Sequence, residues 1–214
     1  MLNKRIFYIA EFSLPNQSAY ALHVLKMCDG FSEIRKKRIE LLIPHVNSNY
    51  SKKKIKKNYL LKYDYKIRNF FSSKKNLNFF SKIIFFFKIK NYLKDKQGSL
   101  IISRSLVPSI FLAFFNIKNI IEIHTELTGI TKFFFLLTKL NFIKKNLRFI
   151  FINSYLRKKF NIEKKNSIIL YDAVDVRDFK SIKIKEYKDT CFYSGSFSKG
   201  KGLEIILKIS KKIP

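Results

Sequence analysis

Short apolar runs alternate with helical patterns along nearly the whole chain, and this alternation constrains the fold more than any other feature. Apolar residues three and four positions apart indicate helices, and compact apolar runs of four to eight residues indicate buried strands. Because strands that alternate with helices build parallel sheets, we predict an α/β fold with a doubly wound, Rossmann-like parallel sheet. The predicted strands are 6–10, 39–43, 100–103, 120–124, 147–153 and 168–171, and the predicted helices are 18–31, 79–94, 107–116, 130–142 and 154–160.

Two segments depart from the alternation and suggest how the chain is organised. Residues 45–78 are basic and are predicted to be irregular, and residues 176–189 are polar and charged, as expected of a connection. Residues 190–214 then resume with a strand, a glycine-rich loop and a helix. We therefore predict a domain over 1–175, an interdomain connection over 176–189, and an incomplete second Rossmann-like domain over 190–214, since one strand and one helix cannot form a core.

The strongly basic composition has two explanations. The 44 lysines and arginines against 15 acidic residues give a net charge of +29. Codon bias in an A/T-rich genome explains a chain rich in lysine, isoleucine and phenylalanine, and the even spread of lysines favours it. Attraction to an anionic membrane surface, through the basic aromatic segment 79–94, is the second explanation. The chain carries no recognised nucleic-acid module, so we expect no nucleic-acid partner.

The cysteines and the apolar stretches bear on location. Cys28 and Cys191 lie far apart and match no metal-ligand spacing, which fits a reducing compartment. The start of the chain does not resemble a signal peptide, and no uncharged apolar stretch is long enough to span a bilayer. We expect a cytoplasmic protein, with peripheral contact at the inner face of the membrane as a further option.

Polar residues that follow the predicted strands are the candidate site residues, because ligands of open α/β sheets bind beyond the carboxyl ends of the strands. The rule selects 11–18, Arg104 and Ser105, 124–126, Asn153 and Ser154, and 172–175. The substrate-site candidates among them are Asn16, Gln17, Ser18, Arg104, His124, Glu126 and Asp175. The backbone of the loop at 16–18 can bind an anion or a sugar, or its side chains can simply cap the following helix. The loop lacks the glycine-rich dinucleotide fingerprint, which argues against a nicotinamide or flavin cofactor.

His124 is the candidate catalytic residue. A histidine at a strand end can act as a general base or donate a hydrogen bond to a substrate oxygen, and the alternative is a structural histidine bonded to a backbone carbonyl. Only three histidines are present, and no HxH, HExxH or CxxC spacing occurs. We therefore expect no metal site and no cofactor.

The loop at 195–202 is the candidate phosphate site. Backbone donors, the helix dipole and a lysine favour an anion there, so Gly195, Ser196 and Lys201 are predicted to contact phosphate. Gly202 stands where a P-loop requires serine or threonine, which argues against a nucleoside triphosphatase.

Five stretches, in order, resemble the family 4 retaining glycosyltransferases of the GT-B fold: "PNQSAYALHVLKMCDGFSE", "IEIHTEL", "FINSYLRKKF", "IILYDAVDVRDF" and "FYSGSFSKGKGLEIIL". The resemblance implies an N-terminal acceptor domain facing a C-terminal domain for the nucleotide-sugar donor. It implies that His124 lies near the transferred sugar, Lys201 contacts the donor diphosphate, the loop at 16–18 approaches phosphate and acceptor, and Asp175 lies at the interdomain crossing.

The chain departs from that family in three places. Asn16-Gln17-Ser18 replaces the usual glycine pair, and Ser196 replaces a frequent arginine. The family's donor domain also continues through several more strands and helices, including a glutamate pair, than the residues up to Pro214 provide. We therefore expect weak or no activity from this chain alone, with a separately encoded donor domain as one remedy.

The leading functional hypothesis is a hexosyltransferase-type glycosyltransferase. It moves a sugar from a nucleotide-sugar donor to a cell-envelope or lipid-linked glycan acceptor, with no cofactor besides the donor substrate. One alternative is a non-catalytic basic domain that binds glycans or membranes. A further alternative is a fragment of a GT-B-type nucleotide-sugar epimerase.

Overall fold

The structure is a computed structural model that describes residues 5–35, 38–73, 78–96, 98–176, 193 and 202–211. The chain divides into two compact units, Met1–Val174 and Asp175–Pro214. Each unit is described by itself.

The first unit is built on a parallel sheet whose seven strands lie in the order β5-β3-β1-β6-β7-β8-β9. A separate two-stranded parallel pair, β2 and β4, lies in the loops after β1 and β3. The direction of winding reverses between β1 and β6, and such a switch point is where open α/β sheets bind ligands. The strand bounds are β1 Ile6–Ile9, β2 Ser13–Leu14, β3 Ile39–Ile43, β4 His45–Val46, β5 Lys66–Asn69, β6 Leu100–Ser103, β7 Asn119–Ile123, β8 Leu147–Phe151 and β9 Ser167–Ile169.

Helices cover both faces of the sheet, as the sequence predicted. The helices of this unit are α1 Ala19–Arg35, α2 Lys52–Asn58, α3 Phe79–Leu93, α4 Leu106–Phe114, α5 Ile130–Leu137, α6 Asn141–Lys144 and α7 Ser154–Phe160. Because side chains of a strand alternate between faces, Tyr8 packs in the core that α1 covers, whereas Phe7 and Ile9 pack in the core beneath α3 and α4. The α/β, doubly wound prediction is confirmed for this unit.

The segment 45–78, predicted to be irregular, contains α2 and β5. Helix α2 buries only Ile55 and begins at the Ser51 cap, whose side chain accepts a hydrogen bond from the amide of Lys54. Strand β5 is the edge strand beside β3, and its residues are exposed or half-buried. Neither element therefore has the apolar pattern by which sequence analysis identifies buried helices and strands.

The helix predicted over 130–142 is divided into α5 and α6. The Thr138 side chain turns back and donates to the carbonyl of Phe135, at 2.6 Å, at the end of α5. Leu140 then adopts an extended conformation and begins α6. A side chain that bonds its own preceding turn competes with helix continuation, which accounts for the break.

Hydrogen bonds hold α1 against the loop between α2 and β5. The Asp29 carboxylate accepts from the backbone amides of Lys62, at 3.1 Å, and Tyr63, at 2.7 Å. Ser32 donates to the carbonyl of Asp64, at 2.8 Å, and Tyr65 donates to the carbonyl of Leu25, at 3.0 Å. These bonds fix the rotation of α1 on the sheet, and so they fix the direction of the side chains on its first two turns.

In the second unit the described residues include one helix, α8 Leu203–Ser210. Gly202 precedes it with a φ of 81°, a conformation that glycine adopts without strain. Apart from Val176, the predicted connection over 176–189 lies outside the described residues. None of the described helices has both the length and the apolar character needed to cross a membrane.

Candidate functional site

The candidate site lies at the switch point of the sheet, where the carboxyl ends of β1, β6 and β7 meet the first turns of α1. Glu11 follows β1, Arg104 follows β6, and His124 follows β7. Parallel strands end at the same edge of a sheet, so three residues far apart in sequence come together. This is the edge that the sequence analysis selected.

Two histidines form the centre of the site. His124, at the end of β7, and His23, on the second turn of α1, have ring centroids 4.6 Å apart with the rings nearly perpendicular. Both rings are largely buried, with 11% and 22% of their side chains exposed. The imidazoles are therefore held in place and still reachable from solvent.

Two carboxylates lie on opposite sides of the histidine pair. The Glu122 Oε2 atom is 3.7 Å from His124 Nε2 and 4.0 Å from His23 Nε2. The Asp172 Oδ1 atom is 3.5 Å from His124 Nδ1 and 3.6 Å from His23 Nδ1. Each imidazole thus has one nitrogen directed at each carboxylate.

Burial and neighbouring groups set the protonation states of the centre. Burial raises the pKa of Glu122, but the facing His124 imidazole and the hydrogen bond that Tyr8 donates outweigh it and hold the pKa below its ordinary value. Burial, together with the charge of Arg104, lowers the pKa of His23 to about 4. At neutral pH the centre therefore contains an anionic Glu122 and a neutral His23.

A pocket of about 270 Å³ opens beside this centre and is bordered by Tyr20, Arg104, Glu122 and His124, among others. The Arg104 guanidinium lies over the Tyr20 ring, 4.9 Å from its centroid. The Arg104 Nη1 atom is buried and has no hydrogen-bond partner among the described residues. A buried, unpaired guanidinium nitrogen is costly unless a ligand accepts its proton, which marks this wall as able to bind an anion or a sugar oxygen.

The loop at 16–18 is organised mainly by its own hydrogen bonds. The Ser18 hydroxyl accepts from the amide of Ala21, at 3.2 Å, and so caps α1. The Asn16 side chain accepts from the amide of Ser18, at 2.9 Å, and the Asn16 carbonyl accepts from the Tyr59 hydroxyl, at 2.6 Å. Gln17 is exposed. Of the two hypotheses for this loop, the capping role is the one that these contacts satisfy.

The remaining predicted residues are placed differently. Glu126 is exposed, and its carboxylate accepts from the Tyr155 hydroxyl, at 2.8 Å, and pairs with Lys159. Asp175 belongs to the second unit. The predicted phosphate residues Gly195, Ser196 and Lys201 lie outside the described residues.

Two residues of the centre, His23 and Glu122, were not predicted as site residues, whereas Asp172 lies in the stretch 172–175 that the strand-end rule selects. His23 lies in a helical pattern and has no nearby chemical motif in the sequence. Glu122 gave the clearest available signal, because it interrupts the apolar run "IIEI" at a position that a buried parallel strand normally gives to an apolar residue.

Comparison with known proteins identifies a solved structure with a similar fold. No family model matches the chain, and a search of curated proteins finds no match either. Among solved structures, the crystal structure of a glycosyltransferase from Rickettsia africae ESF-5 is similar, with a TM-score of 0.55 and 11% identity. The likeness covers 99% of this chain and 51% of that one, so the chain spans about half the length of this neighbour. The chain therefore has a glycosyltransferase-like, Rossmann-type α/β fold.

Proposed function

We propose that this chain supplies the acceptor-side half of a glycosyltransferase that moves a sugar from a nucleotide sugar to a cell-envelope or lipid-linked glycan. The observation that carries the proposal is the position of His124, at the carboxyl end of β7 and on the wall of the pocket at the switch point. The similarity of the fold to a glycosyltransferase is the reason that we propose a sugar as the substrate at this edge of the sheet. The specific chemistry that we propose is that of the family 4 retaining enzymes.

In this proposal His124 contacts the transferred sugar and supports the positive charge that develops at its anomeric centre. Glu122 and Asp172, on either side of the ring, hold the imidazole in its orientation and stabilise it when it is protonated. Arg104, with its unpaired Nη1 atom, binds a donor phosphate or an acceptor oxygen in the same pocket. The donor substrate is the nucleotide sugar, its diphosphate is assigned to the loop with Gly195, Ser196 and Lys201, and the reaction uses no further cofactor.

The test is a comparison of His124→Ala with a matched histidine variant, His45→Gln. His45 lies away from the pocket and contacts the carbonyl of Phe71, at 3.1 Å. We expect nucleotide-sugar turnover, by this chain with or without an added donor-binding half, to fall about 100-fold or more in His124→Ala. We expect His45→Gln to retain the wild-type rate.

Saturation-transfer NMR tests the contact itself, even where turnover is slow. We expect signals from the sugar-ring protons of a bound nucleotide sugar in the wild-type chain, and their loss in His124→Ala. Signals that survive in His124→Ala, or no signals with any nucleotide sugar, would contradict the proposal.

Peripheral membrane contact is the second part of the proposal, and exposed aromatic residues support it. On α3, Phe80, Ile84 and Phe87 are exposed at four- and three-residue spacing, so they form one stripe. Phe87 also packs against Phe111 of α4, with centroids 5.0 Å apart. Lysines accompany the stripe, among them Lys88 and Lys90, each of which lies over a phenylalanine ring. An apolar stripe flanked by cations suits an anionic lipid surface, where lipid-linked acceptors are found.

Vesicle binding separates this contact from a merely basic composition. We expect sedimentation with anionic vesicles at low salt, loss of binding as salt rises, and strong weakening in the double variant Phe80→Glu/Ile84→Glu. Ile34→Glu is the control, because Ile34 is equally exposed but lies on α1. Equal binding by the double variant and the control would count against the α3 surface.

A further inference from the structure

Three metal-ligating side chains converge in the centre of the site. His23, Glu122 and His124 each offer one donor atom, and these atoms all lie within 4.8 Å of one another. Two of the separations are 3.7 and 4.0 Å, both measured to Glu122 Oε2. The sequence could not show this set, because His23 lies on α1, far along the chain from Glu122 and His124 on β7.

The separations are close to those of a bound ion. With zinc–nitrogen bonds of about 2.0–2.1 Å, donor atoms of a tetrahedral site stand about 3.3 Å apart. Each ring would need to move inward by less than about 1 Å, which small side-chain rotations supply. Glu122 belongs to a central strand of the sheet and needs no backbone change.

A further carboxylate is placed where metal-binding histidines usually have one. The Asp172 Oδ1 atom lies 3.5 and 3.6 Å from the Nδ1 atoms of the two rings. A proton kept on Nδ1 for this carboxylate leaves the Nε2 lone pair of each ring free for an ion. The two carboxylates together balance the charge of a divalent cation.

One donor atom makes no hydrogen bond in the described part of the chain. The His23 Nε2 atom is buried and has no hydrogen-bond partner among the described residues. Arg104 opposes a cation, but it pairs with neither carboxylate within 4.0 Å in the described part of the chain.

We propose that His23, Glu122 and His124 bind a divalent transition-metal ion of the zinc class, with the fourth coordination position open to the pocket. Two imidazoles and one carboxylate suit zinc or cobalt, whereas magnesium prefers an all-oxygen set. The ion would bind His124, which borders the pocket, so it is an inhibitor of the proposed sugar transfer and not a participant in it.

Calorimetry on the full chain, freed of metal by a chelator, tests the site without any sugar. We expect one zinc ion to bind per chain, and no binding of magnesium. We expect affinity to fall about 100-fold in His23→Gln and His124→Gln, and about 10-fold in Asp172→Asn, as is usual for an outer partner of a metal-bound histidine. His45→Gln is the matched control and should bind zinc as the wild type does.

A second test uses the wild-type chain alone, so it does not depend on whether the variants fold. It is the visible absorption spectrum of the cobalt complex. We expect the bands of a four-coordinate nitrogen and oxygen site, without the intense band of thiolate ligation. A thiolate band, no saturable zinc binding, or wild-type affinity in both His23→Gln and His124→Gln would overturn the proposal. None of these outcomes bears on the transferase proposal, and a failure to turn over nucleotide sugar would leave the zinc result untouched.

Discussion

Two buried glutamates, Glu40 in β3 and Glu122 in β7, occupy strands of the same sheet and have different surroundings. Both are nearly inaccessible to solvent, with 2% and 4% of their surface exposed. Glu40 accepts from Arg68 Nε, at 2.7 Å, and from the Tyr92 hydroxyl, at 2.8 Å, and Lys66 Nζ is 3.5 Å away. Glu122 instead accepts from Tyr8 and faces two imidazoles.

The difference follows from where each glutamate lies along its strand. Glu40 is the second residue of β3, toward the amino end, and Glu122 is the fourth of the five residues of β7, toward the carboxyl end. The amino end of a parallel sheet generally serves stability, whereas the carboxyl end carries ligand sites. Glu40 accordingly has permanent cations as partners, and Glu122 has partners whose charge can change.

Removal of the Glu40 carboxylate should have the largest effect on stability. We expect Glu40→Ala to lower the free energy of unfolding by about 2–3 kcal/mol, because it leaves Arg68 and Tyr92 without their acceptor. Glu122→Gln should lower it by only about 1 kcal/mol, because the amide oxygen still accepts from Tyr8. Urea denaturation measures both changes. A larger loss of unfolding free energy in Glu122→Gln would contradict the assignment of the stabilising role to the region around Glu40.

Acid should destabilise the two regions over different pH ranges. The pKa of His23 falls from 6.5 unfolded to about 4 folded, so the unfolded chain binds more protons and stability is lost as pH falls from 6.5 to 4. Burial raises the pKa of Glu40, but Arg68, Tyr92 and Lys66 outweigh it and lower the pKa below 4.5. The contribution of Glu40 is therefore present above pH 4.5 and is lost as pH falls through its folded pKa.

Thermal denaturation of the chelator-treated chain across pH 3–7 measures these ranges. We expect His23→Gln to remove about 2 kcal/mol of the pH dependence between 6.5 and 4. Glu40→Gln should instead flatten the curve below pH 4.5. A wild-type curve that is flat between pH 6.5 and 4 would contradict the neutral, buried state of His23.

The two tyrosine partners should differ in a similar way. Tyr8 is fully buried and is the hydroxyl donor to Glu122, so Tyr8→Phe should cost about 2 kcal/mol. Tyr92→Phe should cost about 0.5–1 kcal/mol, because Arg68 and Lys66 remain beside Glu40. Urea denaturation of the two variants, Tyr8→Phe and Tyr92→Phe, checks which of them loses more unfolding free energy. Equal losses would show that Glu122 does not depend on the Tyr8 hydroxyl.

The smallest effect is expected at Lys66. Its side chain is 56% exposed and 3.5 Å from Glu40, so solvent screens most of the interaction. We expect Lys66→Ala to change stability by less than about 0.5 kcal/mol. A loss comparable to that of Glu40→Ala would mean that Lys66, and not Arg68, is the main partner of Glu40.

The sequence predicted the fold where burial leaves a pattern. Strands β1, β3, β6 and β8 lie inside the sheet and consist mostly of buried apolar residues, and their positions were found to within about two residues. Strand β5 was missed because an edge strand has one neighbour and can carry lysine, arginine and asparagine at exposed positions.

The site was predictable only in part, for a geometric reason. The rule that ligands bind beyond strand ends selected Arg104 and His124, which both border the pocket. It also selected the stretch 172–175, which contains Asp172 beside the two histidines. It could not select His23, because the approach of His23 to His124 depends on the rotation of α1. Glu122 was visible as a charged residue in an apolar run. Its partners Tyr8 and His23 lie about a hundred residues earlier in the sequence, so the sequence could not identify them.

The reactivity of the Cys28 thiol can report how often helix α1 separates from the sheet. The thiol is fully buried on α1, in the core that contains Tyr8, and burial together with Glu122 and Asp29 raises its pKa well above the ordinary value. A thiol reagent can therefore reach it only when α1 lifts from the sheet. In a Cys191→Ser chain, the rate at which a thiol reagent labels Cys28 measures how often α1 opens. Because His23 also lies on α1, the same opening separates His23 from His124 and Glu122. A ligand that binds His23 should therefore lower the labelling rate.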